Sequence, residues 1–169
     1  MTDERLMRSA AQGDEGALEE LIRALAPEVY RYLAGMLGSL EDADEALGET
    51  FVRVSRSVER FDHRQSVESW VLTIARRVAT DVRPTPAAAP DGPPGAGEDA
   101  VEWARRALRS LPAGDREVLV TRDVLGWDKS KIATWLSLEP EEIPARLASA
   151  RSAMLGRTDV LPHDAPRQP

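Results

Sequence analysis

The chain has 169 residues, 42% hydrophobic and 30% charged, with a formal net charge of −7, no cysteine and two histidines. That length makes one domain or two small ones, and the composition is that of a soluble protein rather than a disordered or fibrous one. Without cysteine there are no disulfides or thiolate metal sites; with no apolar run near ~18–20 residues and no signal peptide, a cytoplasmic protein without membrane insertion is expected.

Asp3 predicts the cap of a short helix carrying Leu6, Met7 and Ala10 and ended by Gly13. Asp14 caps a second, with Ala17, Leu18, Leu21 and Leu25 on one side. Pro27 is expected to kink this helix or to start a new one, running through Val29, Tyr30 and Leu33 to Gly38. The spacing of Ala43, Ala46/Leu47, Thr50/Phe51, Val54 and Val58 predicts a third helix. After Phe61–Gln65, Ser66 caps a fourth with Val67, Trp70/Val71, Ile74, Val78 and Val82, and Pro84 stops it.

Residues 84–98 are rich in Pro, Gly and Ala without apolar periodicity, and predict an extended, mobile linker. Beyond it, Val101, Ala104 and Leu108 mark a helix before Pro112, and another runs through Val118 and Leu119 to Gly126. Asp128 caps a short helix with Ile132, Ala133 and Leu136. Ser137-Leu138-Glu139 forms a tight turn, and a last helix carries Ile143, Leu147, Ala150 and Met154. The pattern is that of a helix-turn-helix, which also occurs in bundles with no DNA role. No β-alternation competes. The fold class is all-α, with two small helical domains at 1–83 and 99–156, a linker at 84–98 and a disordered tail at 157–169.

The charge is uneven: residues 1–83 carry 11 basic and 16 acidic side chains (−5), residues 84–99 three acidic (−3), and residues 100–169 11 basic and 10 acidic (+1). A net-negative chain is not the usual footprint of a protein that holds DNA alone, because phosphate contacts dominate such affinity.

Residues 14–37 (DEGALEELIRALAPEVYRYLAGML), 42–54 (DADEALGETFVRV) and 60–82 (RFDHRQSVESWVLTIARRVATDV) resemble the first domain of extracytoplasmic-function sigma factors of the sigma-70 family. Residues 108–155 resemble their second domain. The resemblance implies a non-enzymatic promoter-specificity subunit of bacterial RNA polymerase. Its first domain would dock on the clamp helices and open the −10 element; its second would read the −35 element beside the polymerase flap. Polymerase would then supply much of the DNA affinity, and an acidic chain becomes reasonable. An anti-sigma factor is a further partner that the family implies. No cofactor is expected.

The family's polymerase-binding segment matches Asp42, Asp44, Glu45, Glu49, Phe51 and Arg53. Acidic and apolar side chains on one helix suit a basic, grooved coiled coil. The alternative is that Asp42, Asp44 and Glu45 favour their own helix N-terminus and that Phe51 is core. Gly48 stands where the family usually has Gln, and weakens the helix by about 1 kcal/mol. The −10 loop matches Asp62, His63, Arg64 and Gln65, where a flipped base would be captured, followed by Trp70, Arg76, Arg77 and Arg83. His63 is either a stacking group or an exposed loop histidine, and Trp70 also lies on the apolar stripe with Val67 and Ile74.

The −35 reader is expected to use Lys129 and Lys131 of the preceding helix and Glu141, Glu142, Arg146 and Arg151 of a recognition helix beginning near Pro140, with Arg146 and Arg151 matching family positions. Glu141, Glu142 and Pro144 depart from the family's Gly, Thr and Lys. Two carboxylates there repel phosphate, and Pro144 removes an amide and is expected to distort the first turn. Arg146 and Arg151 would supply one base contact and phosphate contacts. A sigma factor with an atypical −35 helix is the leading reading. The alternative is a degenerate sigma-like protein acting as a co-sigma or a polymerase-docked interaction module. Catalysis is rejected: Asp42, Asp44 and Glu45 have no histidine nearby, and no phosphate loop or nucleophile constellation occurs.

Overall fold

The Asp14 carboxylate accepts the Ala17 amide at 3.0 Å and the Ser9 hydroxyl at 2.7 Å, joining the end of one helix to the start of the next. Those two bonds, the Ala17 amide first, hold its pKa below the ordinary carboxylate range. The structure, a computed structural model, describes residues 2–82, 87–90, 92, 94, 95, 97 and 99–155. Among them the chain forms eight α-helices and no strand. It divides into two compact units, residues 1–84 and 85–169. Arg83, most of the expected linker's proline positions and the tail at 157–169 lie outside the described residues.

The first unit contains α1 (Thr2–Ala10), α2 (Glu15–Leu37), α3 (Leu40–Ser57), a single 3₁₀ turn (Val58–Arg60) and α4 (Val67–Val82). Ser39 caps α3 by accepting the Asp42 amide, and Ser66 caps α4 by accepting the Ser69 amide. Gly38 ends α2 in the left-handed conformation at φ 67°, its amide returning to Ala34, which only glycine adopts freely. Leu21, Val29, Tyr32, Leu33 and Leu37 of α2 are buried, as are Met7, Val54 and Val71 of the helices α1, α3 and α4 that pack on it. Thr50 is also fully buried, which its hydroxyl tolerates by donating to the Ala46 carbonyl at 2.7 Å.

Pro27 neither ends nor restarts a helix: α2 runs continuously through it. Proline forfeits the bond to the Arg23 carbonyl, but both residues lie on the exposed side, where water satisfies that group. The buried stripe on either side keeps the helix packed.

The second unit contains α5 (Ala100–Ser110), α6 (Ala113–Leu119), a π turn (Val120–Val124), α7 (Lys129–Leu136) and α8 (Glu142–Met154). Asp99 caps α5 and Asp128 caps α7, the latter accepting the Lys131 amide at 2.8 Å. The buried line of α5 passes through Ala107, and Val101, expected on the apolar stripe, is 56% exposed in the first turn. The π turn inserts one residue into the end of α6: the Leu125 amide reaches Val120, and the Thr121 hydroxyl donates to the Glu117 and Val118 carbonyls. Ser137 ends α7 at φ 55°. In the expected linker, Pro90 is buried and the Trp103 indole N–H donates to the Gly92 carbonyl at 2.7 Å, so this part is packed rather than wholly free.

Helix α8 begins at Glu142, two residues later than Pro140, because Glu139 and Glu142 exchange hydrogen bonds: the Glu142 amide to the Glu139 carbonyl, and the Glu139 amide to the Glu142 carboxylate, both at 3.0 Å. Pro144 is therefore the third helical residue. Its missing N–H belongs to the first turn, which has no intrahelical acceptor, and the helix continues without a break.

Gly48 faces outward from the middle of α3, with open space where a Cβ would stand. Gly48→Ala should raise the stability of the chain by about 0.5–1 kcal/mol, read from urea unfolding followed by circular dichroism.

Candidate functional site

Helix α3 points its acidic residues outward. Asp44, Glu45 and Glu49 are exposed, while Asp42 is half-buried in the first turn. Glu49 pairs with Arg53 at 2.7 Å, and Arg53 also reaches Asp81 of α4 at 2.9 Å. Glu49 and then Asp81 hold the Arg53 guanidinium above its ordinary pKa. This double ion pair borders a groove of about 480 Å³ between α3 and α4, lined also by Glu45, Ala46, Val78 and Val82. Phe51, expected beside the acidic residues at the partner surface, instead turns inward and is 9% exposed. Its position falls on the buried stripe with Thr50 and Val54. An outward apolar residue of α3 is its neighbour Val52, 41% exposed, which sequence reasoning missed. The signal available was phase: Val52 follows Glu45 and Glu49 at helical spacing.

The loop 61–66 is built on Phe61. Its buried ring receives His63 edge-on at 4.9 Å and Trp70 edge-on at 5.3 Å. Trp70 thus packs on the loop yet stays part-exposed, while Val67 and Ile74 carry the core. His63 and Gln65 are exposed. Asp62 binds Arg64 three ways, accepting its backbone amide at 3.1 Å, its Nε and its Nη2, the last at 2.6 Å. The Arg64 side chain's hydrogen bonds lead in lowering the Asp62 carboxyl to about 2. Arg76 and Arg77 are exposed on α4 beyond the loop.

In the second unit, Lys129 is exposed and Lys131 is half-buried, its Nζ 3.9 Å above the Trp127 ring, which meets Trp135 edge-on. Glu141 is exposed at the start of α8. Arg146, expected with Arg151 to meet DNA, is only 16% exposed on its side chain and lies 3.9 Å from both Asp115 and Glu142, against α6. Arg151 pairs with Asp123 of the π turn at 2.8 Å. A further guanidinium, that of Arg116, is buried and donates to the Arg109 and Leu111 carbonyls; burial, then the charge of Arg109, lowers its pKa. Among the described residues, no three His, Asp or Glu side chains converge to hold a metal, and no helix is long and apolar enough to cross a membrane.

The family described as Sigma-70 region 2 matches residues 21–83. The ECF RNA polymerase sigma factor SigC of Mycobacterium tuberculosis is 34% identical, over 94% of this chain and 91% of its own length. SigM of the same species is 28% identical over 90% of this chain and 83% of its own. Two solved structures share the fold. One is CnrH in complex with the cytosolic domain of CnrY, with a TM-score of 0.74 at 20% identity, covering 91% of this chain and 95% of that one. The other is RpoE with the anti-sigma factor NepR from Bartonella quintana, with a TM-score of 0.64 at 16% identity, covering 80% of this chain and 92% of that one.

The lowered pKa of Asp62 has a direct readout. Because the folded value lies below the free one, the loop's ion pair is intact above the ordinary aspartate range and is lost as pH falls through about 2. A carboxyl NMR titration should place the Asp62 midpoint there, and Arg64→Ala should return it to the ordinary aspartate range.

Proposed function

Because the chain belongs to the extracytoplasmic-function family of RNA polymerase sigma factors, we propose that it binds core RNA polymerase and directs promoter-specific transcription initiation. The observation that carries this reading is the 34% identity to such a factor along 94% of the chain. In this reading the first unit docks on polymerase and opens the −10 element, and the second meets the −35 region.

Docking uses the outer face of α3, with Asp44, Glu45 and Glu49 offering charge and Val52 an apolar contact beside the groove. Carboxylates around a small apolar patch suit a basic helical partner, and steer its approach as well as holding it. Phe51 supports this face from inside rather than touching the partner. The −10 loop supplies a stacked aromatic base of Phe61, His63 and Trp70, on which an unstacked nucleobase finds a partner that offsets its lost stacking. Arg76 and Arg77 are exposed one to two turns beyond, where phosphate contacts are proposed.

The second unit contributes weakly. Its helix starts with Glu141 and Glu142, and both of its described arginines are tied to carboxylates. This is the atypical −35 helix, and it is also the observation that favours a second reading: a polymerase-docked regulatory module that does not read promoters. An anti-sigma partner is proposed on the family likeness, since the Bartonella protein of the same fold was solved with one.

In vitro transcription with core polymerase, this chain and fragmented genomic DNA, followed by 5′-end sequencing, separates the readings. Discrete starts sharing upstream sequence support the sigma factor; a stable complex without starts supports the module. Arg76→Ala with Arg77→Ala should abolish strand opening, seen by permanganate reactivity, while leaving core binding intact. Glu45→Lys reverses a charge on the docking face without breaking an ion pair described for α3, and should weaken core binding by at least about fivefold, measured by fluorescence anisotropy.

A further inference from the structure

Arg151 lies in the last turn of α8 and faces Asp123 of the π turn, 28 residues earlier in the chain. Its Nη2 donates to both carboxylate oxygens, at 2.8 and 3.0 Å, and its Nε lies 3.4 Å from one of them. A guanidinium presents this same fork of donors to a phosphate group. The two side chains remain 54% and 42% exposed, so solvent and solutes reach the pair. The other arginine of α8 is the contrast: Arg146 is held between Asp115 and Glu142 with side-chain exposures of 16% and 11% for Arg146 and Asp115.

The π turn carries Asp123. An α-helix turns by roughly 100° per residue, so one inserted residue rotates everything after it by about that angle. Asp123 lies within the widened turn at Val120–Val124, from which its carboxylate meets Arg151 of α8.

We infer that Asp123 is a built-in competitor for DNA phosphate: it holds Arg151 in an internal ion pair that DNA must displace, and so sets how tightly the second unit engages DNA. The inference rests on the reading that α8 meets DNA. The competition is partial by nature, because an exposed pair of this kind is modest in strength and is screened by salt.

The test measures binding of the full-length chain to a fluorescein-labelled mixed-sequence duplex by anisotropy. Asp123→Asn keeps the shape and removes the charge. It should tighten binding about two- to fivefold at low salt, with the gain shrinking as salt rises from about 50 to about 200 mM. Arg151→Ala should weaken binding and lower the slope of log affinity against log salt by about one. In the Arg151→Ala background, Asp123→Asn should bring no gain.

A gain that persists without Arg151 would mean that a negative charge was simply removed near DNA, and overturns the inference. A loss of affinity with Asp123→Asn also overturns it, because Asp123 would then be positioning Arg151 on the phosphate. If Arg151→Ala weakens binding while Asp123→Asn changes nothing, the inference fails and the DNA-contact reading of α8 stands. If Arg151→Ala itself has no effect, both fail.

Discussion

The buried line of Leu21, Leu25, Val29, Leu33 and Leu37 along α2 is the constraint on which the first unit depends. These residues return every fourth position, so one side of a 23-residue helix becomes a continuous apolar wall. Helices α1, α3 and α4 all pack against it. Once their inner faces are committed, their outer faces are determined too. The acidic ridge of α3 and the arginines of α4 owe their directions to that wall rather than to any interaction among themselves. The Phe61 anchor acts in the same way on a smaller scale, since the loop above it takes its shape from a ring buried beneath.

Electrostatics adds a second layer. In a chain with net charge −7, cations readily find carboxylates within their own unit. Arg53 is shared by Glu49 and Asp81, Arg64 is clasped by Asp62, Arg146 lies beside Asp115 and Glu142, and Arg151 meets Asp123. Each pair is individually modest, because most are exposed. Together they lower the free positive charge that the molecule shows to a polyanion. Less free positive charge means weaker electrostatic attraction to nucleic-acid phosphate.

Much of this was legible in the sequence where the cause is local. The caps at Asp14, Ser66 and Asp128 act within three residues, and each helix starts where its cap places it. The apolar spacing of α3 and α4 also reads directly. What escaped was non-local or a matter of phase. Thr50 and Phe51 lie on the buried stripe that the spacing predicts, Thr50 bonding its own helix, and what escaped is Val52, the outward apolar neighbour. Pro27 starts no new helix, because the buried stripe on both sides keeps α2 continuous through it. Neither the π turn nor the Arg151–Asp123 pair has a signature in spacing, because each depends on which helices end up side by side.

The aromatic arrangement has an optical consequence. Of four tryptophans, Trp70 is the sole one in the first unit, and Trp103, Trp127 and Trp135 belong to the second. Trp70 touches the anchor of the loop and is partly open to solvent, so its emission is sensitive to what enters there. Trp127 is buried under the Lys131 ammonium group and against Trp135, an environment that marks the integrity of α7 instead. The molecule thus carries one native fluorophore at the loop and a separate set in the other unit. Replacing Trp70 by Phe leaves the second unit's set, so the difference between the two spectra reports the loop without a label.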